Sequence, residues 1–420
     1  MGRARHLRWR VAGLLTLATA LNYLDRQSLP VLISELQTEI PMTDQQYSEL
    51  QFWFLLAYGL MYAGGGVVVD ALGTRAGYAV MIIWWSVANA LHGFANSVWS
   101  LGVFRFLLGL GEGGGFPASA KAVSEWFPPR ERSFAFGLFN TGSAVGAVVA
   151  PPLIAYLVTA LNWRWVFFTG GAAGLVWAAV WVWFYRPPAT HPSLTAADRE
   201  ALAASLEPGP QVPAVAWTSL VQNRSVWALA LAKFMSDAAW YFFAFWLPKY
   251  LADVRHLDIK AIGAAAWIPY AAAGLGSMAG GSLSSYLIRR DFSVNASRKI
   301  PLTIAAALMP SALLVSGAPL ELALFLFSLA FLGHQFWSTI VQTLPADMFP
   351  SHCVGRVAGL LGAAGSFGGM LFNLLVGWWL TQTHSYAAVM IAAGLLHPLS
   401  LLVILVAIPR IERVRVGEKA

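Results

Sequence analysis

Long apolar runs broken by short polar ones make up most of the chain. Segments of spanning length, about 20 residues each, fall at 11–33, 47–69, 78–95, 99–122, 133–157, 165–185, 226–250, 261–287, 300–317, 320–344, 355–380 and 387–408. Runs this long and apolar predict helices, because a backbone buried in lipid must satisfy its own hydrogen bonds. Twelve such helices make an all-α membrane protein. The longest polar stretch, Arg186 to Asn223, divides them six and six. It holds Pro187, Pro188, Pro208, Pro210 and Pro213. Within it, Thr195 followed three residues later by Asp198 is a helix-start pattern. The expected organisation is a bundle over 1–185, a cytoplasmic linker over 186–223 with a short amphipathic helix, and a second bundle over 224–420.

The two halves repeat. Phe127-Pro128 recurs 222 positions on as Phe349-Pro350. The same offset pairs Glu125 with Asp347, Gly137 with Gly359, Leu138 with Leu360, Gly146 with Gly368 and Leu153 with Leu375. Two six-helix bundles related by a parallel repeat imply a binding site at the midplane between them, and alternating access by rocking of one half against the other.

Composition agrees with the pattern. Of 420 residues, 58% are hydrophobic and 11% charged, against about 25% charged in a soluble domain. The net charge of +7 would suit a nucleic-acid binder, but its placement excludes that reading. Arg3, Arg5, Arg8 and Arg10 lead the first run, and further bases gather at 70–77, 126–132, 186–224, 288–299 and in the tail, through Arg415 and Lys419. The 34–46 loop has Glu35, Glu39 and Asp44 with no Lys or Arg. The 251–260 loop breaks the pattern, with Arg255 and Lys260 offset by Asp253 and Asp258. Basic loops on one face put both termini in the cytoplasm. The basic start mimics a signal peptide, but the run behind it is too long and too charged, so an uncleaved first span is expected. With one cysteine, Cys353, no Walker loop and no dinucleotide fingerprint, no metal or other cofactor is expected.

Charges inside the runs carry the functional signal. A charged side chain at mid-membrane costs about 2.5 kcal/mol or more on insertion scales, so it marks a cavity or a partner. Asp25 and Arg26 lie in the first run. Arg105 and Glu112 lie in the fourth, two helical turns apart and therefore on one face, among glycines that let another helix approach. A carboxyl that alternates between wet and dry surroundings can carry a proton. Lys233 and Asp237 stand at i,i+4 in the seventh run, as a second anion-binding point or a structural lock. His334, with Gln335 beside it, is the counterpart of Glu112 at the 222-residue offset. The aromatic run Trp240 to Phe243 reads as lipid-facing and packing surface. Asp70, Gly73 and Arg75, between the second and third runs, read as a tight turn with charges for a breakable cytoplasmic latch. The corresponding stretch, Gly281 to Arg290, lacks the acid.

The loop around Asp70 resembles the signature of the major facilitator superfamily. Asn22-Tyr23-Leu24-Asp25-Arg26, Arg105 with Glu112 before Phe116-Pro117, and Trp126-Phe127-Pro128 followed by Arg130-Glu131-Arg132 resemble its anion:cation symporter branch. Phe245 to Leu251 and Asp347-Met348-Phe349-Pro350 resemble the hexuronate carriers within it. The likeness covers essentially the whole chain. It implies a proton-coupled symporter for a small organic anion, a hexuronate or aldonate, with protons, lipid and that anion as partners and a monomer as the working state. It further implies Asp25 and Glu112 as proton carriers, Arg26 as the carboxylate ligand and Arg105 as the basic partner of Glu112. Tyr23 and Tyr58 would supply hydroxyls to the sugar acid, and Trp337 and Ser366 would face it. Ser143, near Asn140 and Thr141, stands where galactonate carriers show Gln, and His334 where they show a small hydroxyl, and Asn140 and Ser143 are further candidates for the cargo site. Another carboxylate, such as an aromatic acid, or a phosphorylated sugar is an alternative cargo. A receptor or membrane enzyme is the alternative of another class, and no nucleophile–base pair stands near one interface to support the enzyme.

Overall fold

In the computed structural model, which describes residues 2–206 and 217–413, every expected apolar run lies on helix, and no strand occurs among the described residues. The side chains of Arg3 and Arg130, and Pro208, Pro210, Pro213, Arg415 and Lys419, lie outside that description. The first half contains α1 (Gly2–Glu39), α2 (Asp44–Leu91), α3 (Val98–Glu112), α4 (Gly115–Trp126), α5 (Pro129–Ala160) and α6 (Trp163–Phe184). Two short helices, α7 (Ala196–Ser205) and α8 (Trp217–Val221), fall in the polar stretch. The second half contains α9 (Arg224–Asp253), α10 (Ile259–Ala265), α11 (Trp267–Arg289), α12 (Val294–Leu308), α13 (Leu320–Met348), α14 (Ser351–Thr383) and α15 (Ala387–Ala407), with a 3₁₀ segment at Met309–Gly317 after α12.

The expected 70–77 loop is almost absent. The second and third runs form one helical segment, interrupted only at Gly73, whose φ of 75° and ψ of 157° are open to glycine and strained for other residues. The chain therefore reverses on a single residue rather than on eight. The fourth run is divided instead, between α3 and α4 at Gly113 and Gly114. A side chain at Gly113 would overlap the Tyr58 carbonyl, so this glycine lets α2 lie against the end of α3.

Seven helical segments among the described residues are long and apolar enough to cross a membrane. One of them, Asp44–Phe94, has 51 residues, roughly 75 Å of helix and enough for two crossings. Helices α1, α3 and α9 are not among the seven. All three carry buried charges.

The repeated Phe-Pro marks the same device twice. Helices α4 and α13 end at Phe127 and Phe349, and Pro128 and Pro350 then cap α5 and α14. The acid before each is anchored. Glu125 accepts from Thr74 (2.6 Å) and from Tyr185, and Asp347 accepts from Arg298 at 2.7 and 3.1 Å.

The chain divides into two units. The first comprises Met1–Pro41 and Leu56–Gln211, and the second Met42–Leu55 and Val212–Ala420. Within the first, α1 packs on α5 and α6. The expected amphipathic helix forms as α7, with Thr195 and Asp198 making a reciprocal cap. It packs beside α1, so this part of the polar stretch lies within the first unit. Within the second, α9 packs on α14 and α15, and α11 on α13. The first turns of α2 belong to this unit, where Tyr47 donates to the Phe245 carbonyl (2.6 Å) and Asp44 meets Lys249 (3.0 Å).

Candidate functional site

Two polar clusters lie inside the helices, one per unit. The first is built on α1. Arg26 Nη2 and Nε donate to the same oxygen, Glu112 Oε2, at 3.0 and 3.2 Å. Nη2 also reaches Asn22 Oδ1, one turn back on α1, at 3.1 Å. The guanidinium lies over the rings of Tyr23 and Tyr58, 4.7 and 4.6 Å from their centroids. It is thus held by two aromatic faces and a carboxylate. Such a cation is oriented before any ligand arrives, and a planar fork suits a carboxylate in two bonds. The pair is dry: the side chains of Arg26 and Glu112 are 5% and 0% exposed. Glu112 Oε1 is buried with no hydrogen-bond partner among the described residues.

The expected pairings change in detail. The cation that closes on Glu112 is Arg26, from another helix. Arg105, fully buried two turns earlier on the same helix, acts on Glu112 through its charge and does the same to His92. Asp25 does not share Arg26 as a partner. Neighbouring helical residues point about 100° apart, and Asp25 turns to the other side of α1. There Oδ1 accepts from Asn89 Nδ2 of α2 at 2.8 Å. Gly170 of α6 closes over both groups, since a methyl there would sit 2.5 and 2.7 Å from those two atoms. Asn89 escaped the sequence reading, and so did His92, whose Nδ1 lies 2.8 Å from the Ala88 carbonyl. Uncharged or single polar residues in an apolar run give little signal without the fold.

The latch residues fall on the surface of the first unit. Asp70 meets Lys121 at 2.6 Å, and Arg75 donates to the Val182 carbonyl at the end of α6. Asn140 and Ser143 lie on α5, with Asn140 exposed and Ser143 Oγ turned back to the Asn140 carbonyl (2.7 Å). No contact described here joins them to Arg26.

The second cluster belongs to the second unit. Lys233 Nζ lies 2.7 and 2.6 Å from the two Asp237 oxygens. Trp240, two turns on from Lys233, stacks on His334 with centroids 4.6 Å apart and planes 9° from parallel. The residues Trp240 to Phe243 are all buried, so they are packing surface as expected, and the expectation that they also face lipid is overturned. Packing on α13 and α14 takes them inside, through Phe331 and Phe372. Trp337 is fully buried, with its ring 5.6 Å from that of His397. Gln335 is half-buried on α13, and Ser366 is buried on α14, donating to the Gly362 carbonyl (3.1 Å). Lys249, a further missed residue, is buried between Asp44 and Asp253 at 3.0 and 2.6 Å.

Residues 15–373 match the model of the Major Facilitator Superfamily. The chain belongs to that superfamily. Its superfamily relatives include the hexuronate transporter of Escherichia coli (strain K12), 35% identical over 384 residues, spanning 90% of this chain and 88% of that one. The galacturonate transporter of Dickeya chrysanthemi is 36% identical over 315 residues, 74% of this chain and 91% of its own. Among solved structures, a bacterial homologue of the human lysosomal transporter Spinster, inward-facing and unoccupied, matches with a TM-score of 0.72 at 19% identity, covering 96% of this chain and 95% of that one. At that identity the likeness is one of fold, and the fold is the all-helical superfamily fold read from the apolar runs.

Proposed function

We propose that this superfamily member is a proton-coupled symporter that imports a sugar acid, a hexuronate or aldonate, across the bacterial inner membrane. The observation that carries the reading is Arg26, stacked between two tyrosine rings and closed on the buried Glu112. The cargo's carboxylate and the Glu112 carboxylate compete for one guanidinium. A proton on Glu112 removes the charge that holds Arg26 and leaves the fork free for the anion. Loss of that proton restores the ion pair and expels the anion. Uptake of proton and cargo is thereby linked at a single side chain. Asp25, which accepts from the neutral amide of Asn89, is the second proton carrier. Tyr23 and Tyr58 orient the guanidinium and border the place where the sugar hydroxyls lie. Lys233, with Asp237, is a second point for the anion. The relatives' names, hexuronate and galacturonate transporter, support this class of cargo. Both termini are cytoplasmic by the distribution of Lys and Arg.

The test is the full chain in liposomes with glucuronate, galacturonate, galactonate, phthalate and glucose 6-phosphate, with and without a pH gradient. Concentrative uptake of a hexuronate or aldonate, driven by an inward proton gradient, is expected. Glu112→Gln is expected to retain binding and exchange and to lose accumulation. Uptake confined to phthalate or the phosphate ester overturns the cargo, and full accumulation by Glu112→Gln overturns the coupling.

A further inference from the structure

The second unit buries a pair of imidazoles that the cycle above leaves unused. His334 Nδ1 of α13 lies 3.1 Å from His397 Nε2 of α15. The rings meet edge to face, with centroids 5.2 Å apart and planes at 85°. Both residues are buried, at 2% and 0% exposure. Helices α13 and α15 both pack on α9 and on the 309–317 segment, and the imidazole contact reaches across between them. Trp240 covers the face of His334, and the Trp337 ring stands beside His397.

Two ring nitrogens at this distance share one proton, so one imidazole donates and the other accepts. In the tautomer in which His397 donates through Nε2, its Nδ1 is a bare lone pair. That atom is buried with no hydrogen-bond partner among the described residues. A proton taken there makes an imidazolium whose charge is spread by the hydrogen bond to His334, whose own face is covered by the π-system of Trp240. A second added proton would put two like charges in contact, so the pair holds one. The groups facing it are few. From α9 come Lys233, whose positive charge opposes a proton on either ring, and Asp237, which pairs with Lys233 at 2.6 Å and offsets that charge. From α11, Tyr270 packs on Phe331, one turn before His334, with its hydroxyl donated to the Ala244 carbonyl. The titratable residues of α12, Arg298 and Lys299, are turned to Asp347 and the Pro409 carbonyl, and the 309–317 segment contains none.

We propose that His334 and His397 form a proton-holding site of the second unit, taking one proton from water and returning it in each transport cycle. Uptake breaks one O–H bond of a hydronium ion and makes one N–H bond at His397 Nδ1, leaving water, and release reverses both. The proposal rests on the proton-coupled reading above.

Two measurements test it on the full chain in liposomes with glucuronate as probe. In the wild type, initial uptake is expected to rise at least fivefold from pH 8 to pH 5.5. In His397→Gln that rise falls to twofold or less. An unchanged pH profile in the variant, beside a coupled wild type, overturns the proposal alone. Absence of glucuronate-driven proton uptake in the wild type overturns the coupled reading and this proposal together. Should the variant fail to fold, imidazole ¹⁵N spectra of the wild type decide, because a coupling across an N–H···N bond identifies the pair without mutation. Its ¹⁵N shifts are expected to move together between pH 5.5 and 8, and shifts that stay constant over that range overturn the proposal.

Discussion

Arg26 and Glu112 are 86 positions apart in the chain, and Arg26 Nη2 stands 3.0 Å from Glu112 Oε2, with both side chains almost wholly out of water. Removing one member of a buried pair leaves the other uncompensated, at about 3–5 kcal/mol. Such a pair is a poor source of stability, since well-packed apolar residues would do as well. It is a good switch, because a proton or a competing anion can take the place of either partner.

Arg26→Lys keeps a positive charge and loses the planar fork and its seat between the rings of Tyr23 and Tyr58. A charged hydrogen bond is worth about 1.5–3 kcal/mol, so KM for the sugar acid is expected to rise on the order of ten- to a hundred-fold. Initial-rate kinetics in liposomes measure this. A KM unchanged in Arg26→Lys would remove the fork from cargo recognition.

Gly170→Ala places a methyl against Asp25 Oδ1 and Asn89 Nδ2. Overpacking of this kind costs about 1–3 kcal/mol. The purified variant is expected to unfold at a lower temperature than the wild type, and Asn89→Ala, which strips Asp25 of its amide donor, is expected to do the same. If Gly170→Ala melts with the wild type, α6 does not sit this close to α1 and α2.

Two acids near one another in the first unit are expected to differ sharply. Asp70 is 74% exposed in its pair with Lys121, and exposed pairs contribute about 0–1 kcal/mol. Glu125 receives two hydroxyl donors, from Thr74 and Tyr185. Glu125→Gln should therefore lower the melting temperature by more than Asp70→Asn. Equal shifts would contradict that ranking.

The start of α7 is expected to depend on pH. The Thr195 side chain holds the Asp198 carboxyl below its usual range. A group with a depressed folded-state value contributes fully above the ordinary Asp range, and its contribution is lost as pH falls through the folded value. Hydrogen exchange of the 196–199 amides, corrected for intrinsic rates, is expected to quicken as Asp198 takes a proton. Thr195→Ala should quicken it about fivefold at neutral pH. Exchange unaffected by either change would show that the cap does not hold this turn.

The charged residues that build both clusters were visible as violations of an apolar pattern. Asp25, Arg26, Glu112, Lys233 and Asp237 each carry a cost that lipid does not forgive, and that cost is readable from position alone. Asn89, His92 and His397 were not legible in this way. A neutral amide or imidazole is tolerated in an apolar run, and its meaning depends on which atom it meets. The aromatic run at 240–243 was rightly read as packing surface but wrongly as lipid-facing, because periodicity does not tell a ring facing lipid from one facing another helix when both surroundings are apolar.

The amino-acid order alone determined the all-helical membrane architecture, the cap at Thr195 and the helices that would carry charge. These follow from local rules: apolar length, turn chemistry, and the expense of a charge in hydrocarbon. Tertiary structure alone decided the partners. That Arg26 closes on Glu112 while its neighbour Asp25 turns to Asn89, and that His334 meets His397, depends on how helices far apart in the chain are rotated about their axes. The rotation is set by packing summed over whole helix faces, and no short stretch of sequence contains that sum.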